Sequence, residues 1–156
     1  MKPNRLACHH KESGFTLIEI MITLVILGIL AAVALPSFLD SMRKGRRAEA
    51  FAALAGIQQA QERWRGSHGD YGKNLNVPTD ADTLPGIAAN TPNGYYALVI
   101  SDSSATGYTA TATAQGAQAA DTNCKLLAAR VISGNLQYGS GLNAIDWSDP
   151  GRCWTK

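Results

Sequence analysis

Residues suited to chemistry are scarce in this chain. Its three histidines are His9, His10 and His68, and the first two stand side by side next to Cys8. No Gly-x-Ser-x-Gly elbow, phosphate-cradling glycine loop or His-Glu-x-x-His pair occurs, which leaves nucleophilic, nucleotide-dependent and zinc-peptidase chemistry without a motif. Cys8-His9-His10 offers adjacent donors in one short segment, not the spaced ligands of a zinc site. Asp70, Asp80 and Asp82 lack the closing bidentate acid of a calcium loop, and His68 reads as an exposed polar residue. No cofactor or metal is expected, and the chain does not read as an enzyme.

An excess of one charge sign is also missing. The formal net charge of +2 arises in the first fourteen residues, where Lys2, Arg5 and Lys11 face Glu12. The remainder balances eleven basic against eleven acidic side chains. Cysteine is sparse too, with three in 156 residues. Cys8 belongs to the basic leader, on the cytoplasmic side. Cys124 and Cys153, if exported, form an even pair in an oxidising compartment and are expected to be disulfide-bonded. Closing that loop contributes roughly 3.5 kcal/mol in the chain-entropy model.

What the sequence does have is a long apolar run. Phe15 to Leu35 holds 21 residues and a single acid, Glu19, close to the roughly 20 residues that span a bilayer as a helix. A carboxylate deep in lipid costs about 2.5–3.5 kcal/mol on insertion scales, so an acid there points to a function. Two processing schemes compete. An ordinary secretory signal would be cut near Ala32-Val33-Ala34, but its apolar region is normally shorter, and Glu19 would interrupt it without purpose. Alternatively the cut falls between Gly14 and Phe15 and the apolar helix is kept. Arg43, Lys44, Arg46 and Arg47 follow the span, and a plain positive-inside count would place them in the cytoplasm. Orientation therefore rests on the processing motif and the cysteine pair.

Gly14-Phe15-Thr16-Leu17-Ile18-Glu19, continuing to Ala34-Leu35-Pro36, resembles the type IV pilin family of N-methylphenylalanine pilins over about 25 positions. The resemblance implies cleavage after Gly14 by a prepilin peptidase, N-methylation of Phe15, and Glu19 as the acid that pairs with a neighbour's amino terminus during assembly. It implies other pilin subunits, the peptidase, the inner-membrane assembly platform and membrane lipid as partners. It places the protein in the bacterial inner membrane and then in a surface filament. Arg47-Ala48-Glu49-Ala50, Ile57 to Trp64, Tyr71 and Cys153-Trp154 look like the PilE-like minor-pilin subgroup. A pilus-associated DNA-uptake receptor, using Lys125, Arg130, Arg152, Trp154 and Lys156, and a type II secretion pseudopilin are the alternatives. DNA stays on the partner list only through the first of these.

The expected fold is α+β, a long helical spine against a three- to four-stranded antiparallel sheet. Residues 1–14 form the leader, 15–66 the helix (15–35 membrane or filament core, 36–66 amphipathic) and 67–156 the head. A continuous helix over the 51 residues from Phe15 to Arg65 would be about 76 Å long. Pro36 is expected to kink it. Phe51, Leu54, Ala55 and Ile57 are expected to rest on the sheet. The Arg43–Arg47 cluster reads first as a solvated face, then as partners for acids of neighbouring subunits such as Asp40 or Glu49, and last as a DNA contact. Tyr71–Pro92 and Gln115–Asn123 read as loops. Strands are expected at Tyr95–Ser101, Tyr108–Thr113, Lys125–Ser133 and Leu136–Ser140, with a turn at Gly134-Asn135. Trp147 and Trp154 are expected to pack against the disulfide.

Overall fold

The apolar segment and the amphipathic one belong to a single helix, although Pro36 stands at their junction. The computed structural model describes residues 14–75, 77 and 81–154. Helix α1 spans Leu17–Arg65 and continues through Pro36, whose missing N–H leaves the Ala32 carbonyl without its helical donor. The chain divides into two compact units after Leu39. Every described residue from 14 to 39 is exposed, and mean hydropathy there reaches 2.7 over 18 residues, long and apolar enough to cross a membrane.

The second unit holds all the buried residues described, from Arg47 to Cys153. In α1 the buried positions are Arg47, Ala50, Leu54, Ile57, Ala60 and Gln61, a stripe at helical spacing. Ala55, expected on the sheet, is exposed, and Phe51 is only partly buried. Both lie one step round the helix from the Ala50–Leu54–Ile57 line, so the core face is rotated from the expected one.

Four strands form the main sheet in sequence order: β3 Tyr96–Ser101, β4 Gly107–Ala114, β5 Leu126–Ile132 and β6 Asn135–Gly141, each antiparallel to the next. Period-two alternation sets the faces. Tyr96, Leu98 and Ile100 of β3 and Tyr108, Ala110, Ala112 and Ala114 of β4 point into the core, while Thr109, Thr111 and Thr113 are half-exposed on the other side. Alanines on the inner face of β4 leave room for the bulk supplied by Leu54, Ile57, Tyr96 and Leu127. The β5–β6 turn is Ser133-Gly134, with φ of 49° and 80°. Ile132 and Asn135 pair across it. Two left-handed residues in a two-residue hairpin match a type I′ turn. The turn thus lies one residue earlier than the sequence suggested, and Asn135 opens β6.

Two expected loops contain structure. Within Tyr71–Pro92, β1 (Asn74–Leu75) and β2 (Thr83–Leu84) pair in parallel, and Asn90 bridges to Ala97 alongside β3. Pairs of two residues are too short to leave a periodic signal. Within Gln115–Asn123, Gly116–Ala120 forms a 3-10 helix that buries Gln118. The end of α1 is fixed by Arg65, which donates to the carbonyls of Gly69 and Ala105 and lies over the Tyr71 ring. Gln61 is fully buried and exchanges two 2.8 Å hydrogen bonds with the backbone of Gly72.

Tyr108 is 2% exposed, and its hydroxyl has no hydrogen-bond partner among the described residues. Burial pushes its pKa well above 10.0, with Glu62 adding to the shift. Burial also raises that of Tyr96, against a hydrogen bond from Gln118. Groups whose folded pKa is raised favour the fold below their unfolded pKa and lose that contribution as pH climbs. The second unit should therefore weaken above about pH 10. Because a buried unpaired hydroxyl costs about 1–3 kcal/mol, Tyr108→Phe should stabilise it by about 1 kcal/mol and flatten the alkaline loss. Urea denaturation at pH 7 and 10.5 checks both; a destabilised Phe variant would contradict the assignment.

Candidate functional site

Gly14, Phe15 and Thr16 precede α1 in a non-helical stretch. Thr16 caps the helix: its Oγ1 accepts from the Glu19 N–H at 3.2 Å, and its carbonyl accepts from Ile20. Thr16-Leu17-Ile18-Glu19 thus has the Thr-x-x-Glu spacing of a capping box. Glu19 stands in the first turn, where the helix dipole favours a carboxylate. The sequence reading missed this local role, although the spacing displays it. Around the acid, Phe15, Leu17 and Ile18 are 79%, 78% and 63% exposed. The result is one carboxylate on a helix tip whose other surfaces are apolar.

The basic cluster is only in part the solvated face that was expected, for Lys44 is exposed while Arg43 and Arg46 are half-buried. Arg47 is buried and forms a two-bond ion pair with Asp121, Nε to Oδ2 at 2.7 Å and Nη2 to Oδ1 at 2.9 Å. Asp121 also accepts from Gln118 Nε2 and from the Cys124 N–H. Gln118 reaches in turn to the Arg43 carbonyl and the Tyr96 hydroxyl. Lys44 pairs with Asp40 at 2.8 Å, and that hydrogen bond, followed by the attraction of Lys44, Arg47 and Arg43, holds the Asp40 carboxyl below its usual range. Arg46 lies over the Tyr95 ring at 4.6 Å. Glu49 accepts from the backbone and side chain of Asn93, both at 2.9 Å. Burial raises its pKa, but hydrogen bonds from Thr91 and Asn93 outweigh that and hold the carboxyl low. Asp40 and Glu49, which the second reading of the cluster gave as its partners in neighbouring subunits, are engaged within the chain.

At the other end of the sequence, Cys124 and Cys153 form the disulfide. Asp149 organises the loop it bounds: it accepts from the Ser140 hydroxyl and from the Cys153 and Trp154 N–H groups. Trp154 contacts Phe51 and Tyr138, with ring centroids 4.8 and 4.4 Å apart, and its indole N–H donates to the Gly139 carbonyl. Trp154 thus packs against the core that contains Cys153, as expected. Trp147 does not follow suit: Arg130 stacks on it at 3.9 Å, and it lies beside Gly139 so closely that a Cβ there would sit 2.8 Å from its ring.

The comparisons with known proteins bear on both ends of the chain. Residues 9–35 match the prokaryotic N-terminal methylation motif. Residues 36–128 match the family described as type IV minor pilin ComP, DNA uptake sequence receptor. The chain belongs to the type IV pilin family. The fimbrial protein of Dichelobacter nodosus is 34% identical over 138 residues, covering 85% of this chain and 71% of that protein. Fimbrial protein EcpC of Eikenella corrodens is 37% identical over 102 residues, covering 65% and 62%. Type II secretion system core protein G of Escherichia coli is 31% identical over 83 residues, covering 51% and 57%. The chain thus spans about three fifths of the length of EcpC and of core protein G. Its motif and exposed apolar helix are typical of inner-membrane prepilins assembled into surface pili.

Of the DNA candidates in this pilin, Lys125 and Arg130 are half-buried and Arg152 is exposed. Trp154 is committed to internal packing, and Lys156 lies outside the described residues, as do Cys8, His9 and His10. Among the described residues no cluster of His, Cys, Asp or Glu could hold a metal. Asp82 pairs with Lys73 at 2.7 Å, and Asp80 is not described. His68 is exposed as expected, but its ring stacks on Trp64 at 3.8 Å.

Removing one member of a buried ion pair typically costs about 3–5 kcal/mol because the other charge is left unpaired. Arg47→Ala should lower the unfolding free energy by about that amount. Arg47→Met with Asp121→Leu should cost much less than Arg47→Ala. Urea midpoints of the three proteins check this; equal losses would mean the pair is not the main contact.

Proposed function

We propose that this pilin is a minor subunit of a type IV pilus, made by cleavage between Gly14 and Phe15, N-methylated on Phe15, and assembled through α1. The observation that carries this reading is the exposed apolar helix tip with Glu19 as its one acid. The Gly14–Phe15 bond lies ahead of the helix, in backbone that a peptidase can bind in extended form. Cleavage creates an amino terminus four residues before Glu19. A free amine and a carboxylate are each costly in an apolar bundle, and pairing them between neighbouring subunits offsets both costs. Lipid tails are as apolar as the helix, so close packing and this pair, rather than hydrophobic transfer, select the filament. Cleavage by prepilin peptidase and delivery through the inner-membrane assembly platform belong to the same proposal.

A second reading has the head receive DNA, as the description of the matched family states for its members. Arg130 on β5, stacked on Trp147, with Arg152 and Lys125, is the candidate contact. A pseudopilin role has its support in the likeness to core protein G, and deletion distinguishes it by a secretion defect rather than a loss of pili.

Glu19→Ala should leave the protein in the membrane fraction but reduce it in sheared filaments by about tenfold or more, the factor expected from roughly 1.4 kcal/mol. Mass spectrometry of those filaments should find methyl-Phe15 as the first residue at low stoichiometry. Normal incorporation of the Ala variant, or a terminus near Leu35, would refute the assembly scheme. For the second reading, DNA binding by the full chain should fall steeply with salt and weaken on Arg130→Ala. Absence of binding at low salt would dismiss it.

A further inference from the structure

Of the four cations that follow the apolar span, two are matched within the chain, Lys44 by Asp40 and Arg47 by Asp121. Arg43 and Arg46 are in no ion pair among the described residues. Both are half-buried, so each keeps an accessible part, and Met42 beside them is an exposed apolar side chain. Arg46 lies over the Tyr95 ring at 4.6 Å. Such a contact uses the flat face of a guanidinium and leaves its N–H edge for an anion. Cleavage at Gly14 and pairing through Glu19 use neither arginine.

Their place along α1 points to the anion. Arg43 and Arg46 stand 26 and 29 positions after Leu17, where the helix begins. Those separations correspond to helical rises of about 39 and 44 Å, which the usual tilt of about 20° shortens to roughly 37 and 41 Å. A bilayer with its headgroups is about 40–45 Å thick. A span whose first turn starts in one headgroup layer therefore delivers both arginines to the phosphates of the other. There the arginine stems can lie along apolar surface while the charged ends stay at the interface. A plain positive-inside count disfavours cations at the exported end of a span, and lipid phosphates supply the counter-charge that the chain does not. A zwitterionic headgroup already answers its phosphate with its own cation, whereas an anionic one has charge to spare for two unmatched guanidinium groups. We propose that Arg43 and Arg46 bind the phosphate of an anionic phospholipid in the outer leaflet of the inner membrane, a second hold on the bilayer that is released on assembly. The site rests on the reading of Phe15–Leu35 as a membrane span with the head exported.

The test is native mass spectrometry of the full chain in a neutral detergent, titrated with phosphatidylglycerol or with phosphatidylcholine of the same acyl chains. The first phosphatidylglycerol should bind about tenfold or more tightly than the first phosphatidylcholine, since each cation near an anionic surface contributes about fivefold. Arg43→Gln with Arg46→Gln should bring that ratio to within about twofold of one, and Arg43→Lys with Arg46→Lys, which keeps the charge, should restore most of it. Asp40→Asn with Lys44→Gln removes a cation together with its matching acid and should leave the ratio unchanged. Equal binding of the two lipids by the unaltered chain overturns the proposal, as does a preference that survives the double Gln variant. Displacement of phosphatidylglycerol by millimolar inorganic phosphate overturns it too, because the site would then be one for a free anion. Flotation with phosphatidylcholine vesicles checks the span separately: all variants should float, and a chain that does not float removes the span and the headgroup site with it.

Discussion

The head depends on one buried charge pair. Arg47 enters the core from α1, and Asp121 meets it from the turn after the 3-10 helix, immediately before Cys124. Neither charge is tolerable there alone. Where the pair forms, the connection between β4 and β5 is tied to the helix, Gln118 is drawn in to bridge Arg43 and Tyr96, and the Cys124 N–H is fixed on the same carboxylate. The position of the disulfide, and through it the loop carrying Asp149 and Trp154, follows from that placement. A hydrophobic contact at the same point would hold the helix near the sheet but would fix its rotation less tightly, because a two-bond guanidinium–carboxylate pair has a direction.

The same pair accounts for an apparent anomaly of the sequence. Four cations just after an apolar span read as a cytoplasmic signal. In the folded head two of them are matched by acids of the same chain, Lys44 by Asp40 and Arg47 by Asp121, and a third lies on an aromatic ring. The cluster reads as surplus charge only until its partner, 74 residues away, is brought to it.

How much was legible follows from the range of each interaction. The apolar run, the four main strands and the paired cysteines are local or compositional signals, and each was readable: Tyr108 to Thr113 alternates as plainly in sequence as in burial. Glu19 stood out because an acid in an apolar run has few explanations, yet its capping geometry with Thr16 went unread. What escaped was non-local. The rotation of the helix core face, which excludes Ala55 and admits Gln61, is set by Gly72 and by the sheet rather than by the helix's own pattern. Arg47 looked like its exposed neighbours because nothing near it in sequence marks it as buried. Trp147 and Trp154 differ in role because one meets Arg130 and the other Phe51, and spacing carries no trace of that difference.

The division of the chain after Leu39 has a mechanical meaning. All of the described core lies from Arg47 onward, so the first stretch of α1 can exchange one apolar surrounding for another while every contact of the head stays made. Leaving the bilayer then requires work on a single helix, and none against the folded domain. A subunit with this partition can pass from membrane to filament with its head still folded.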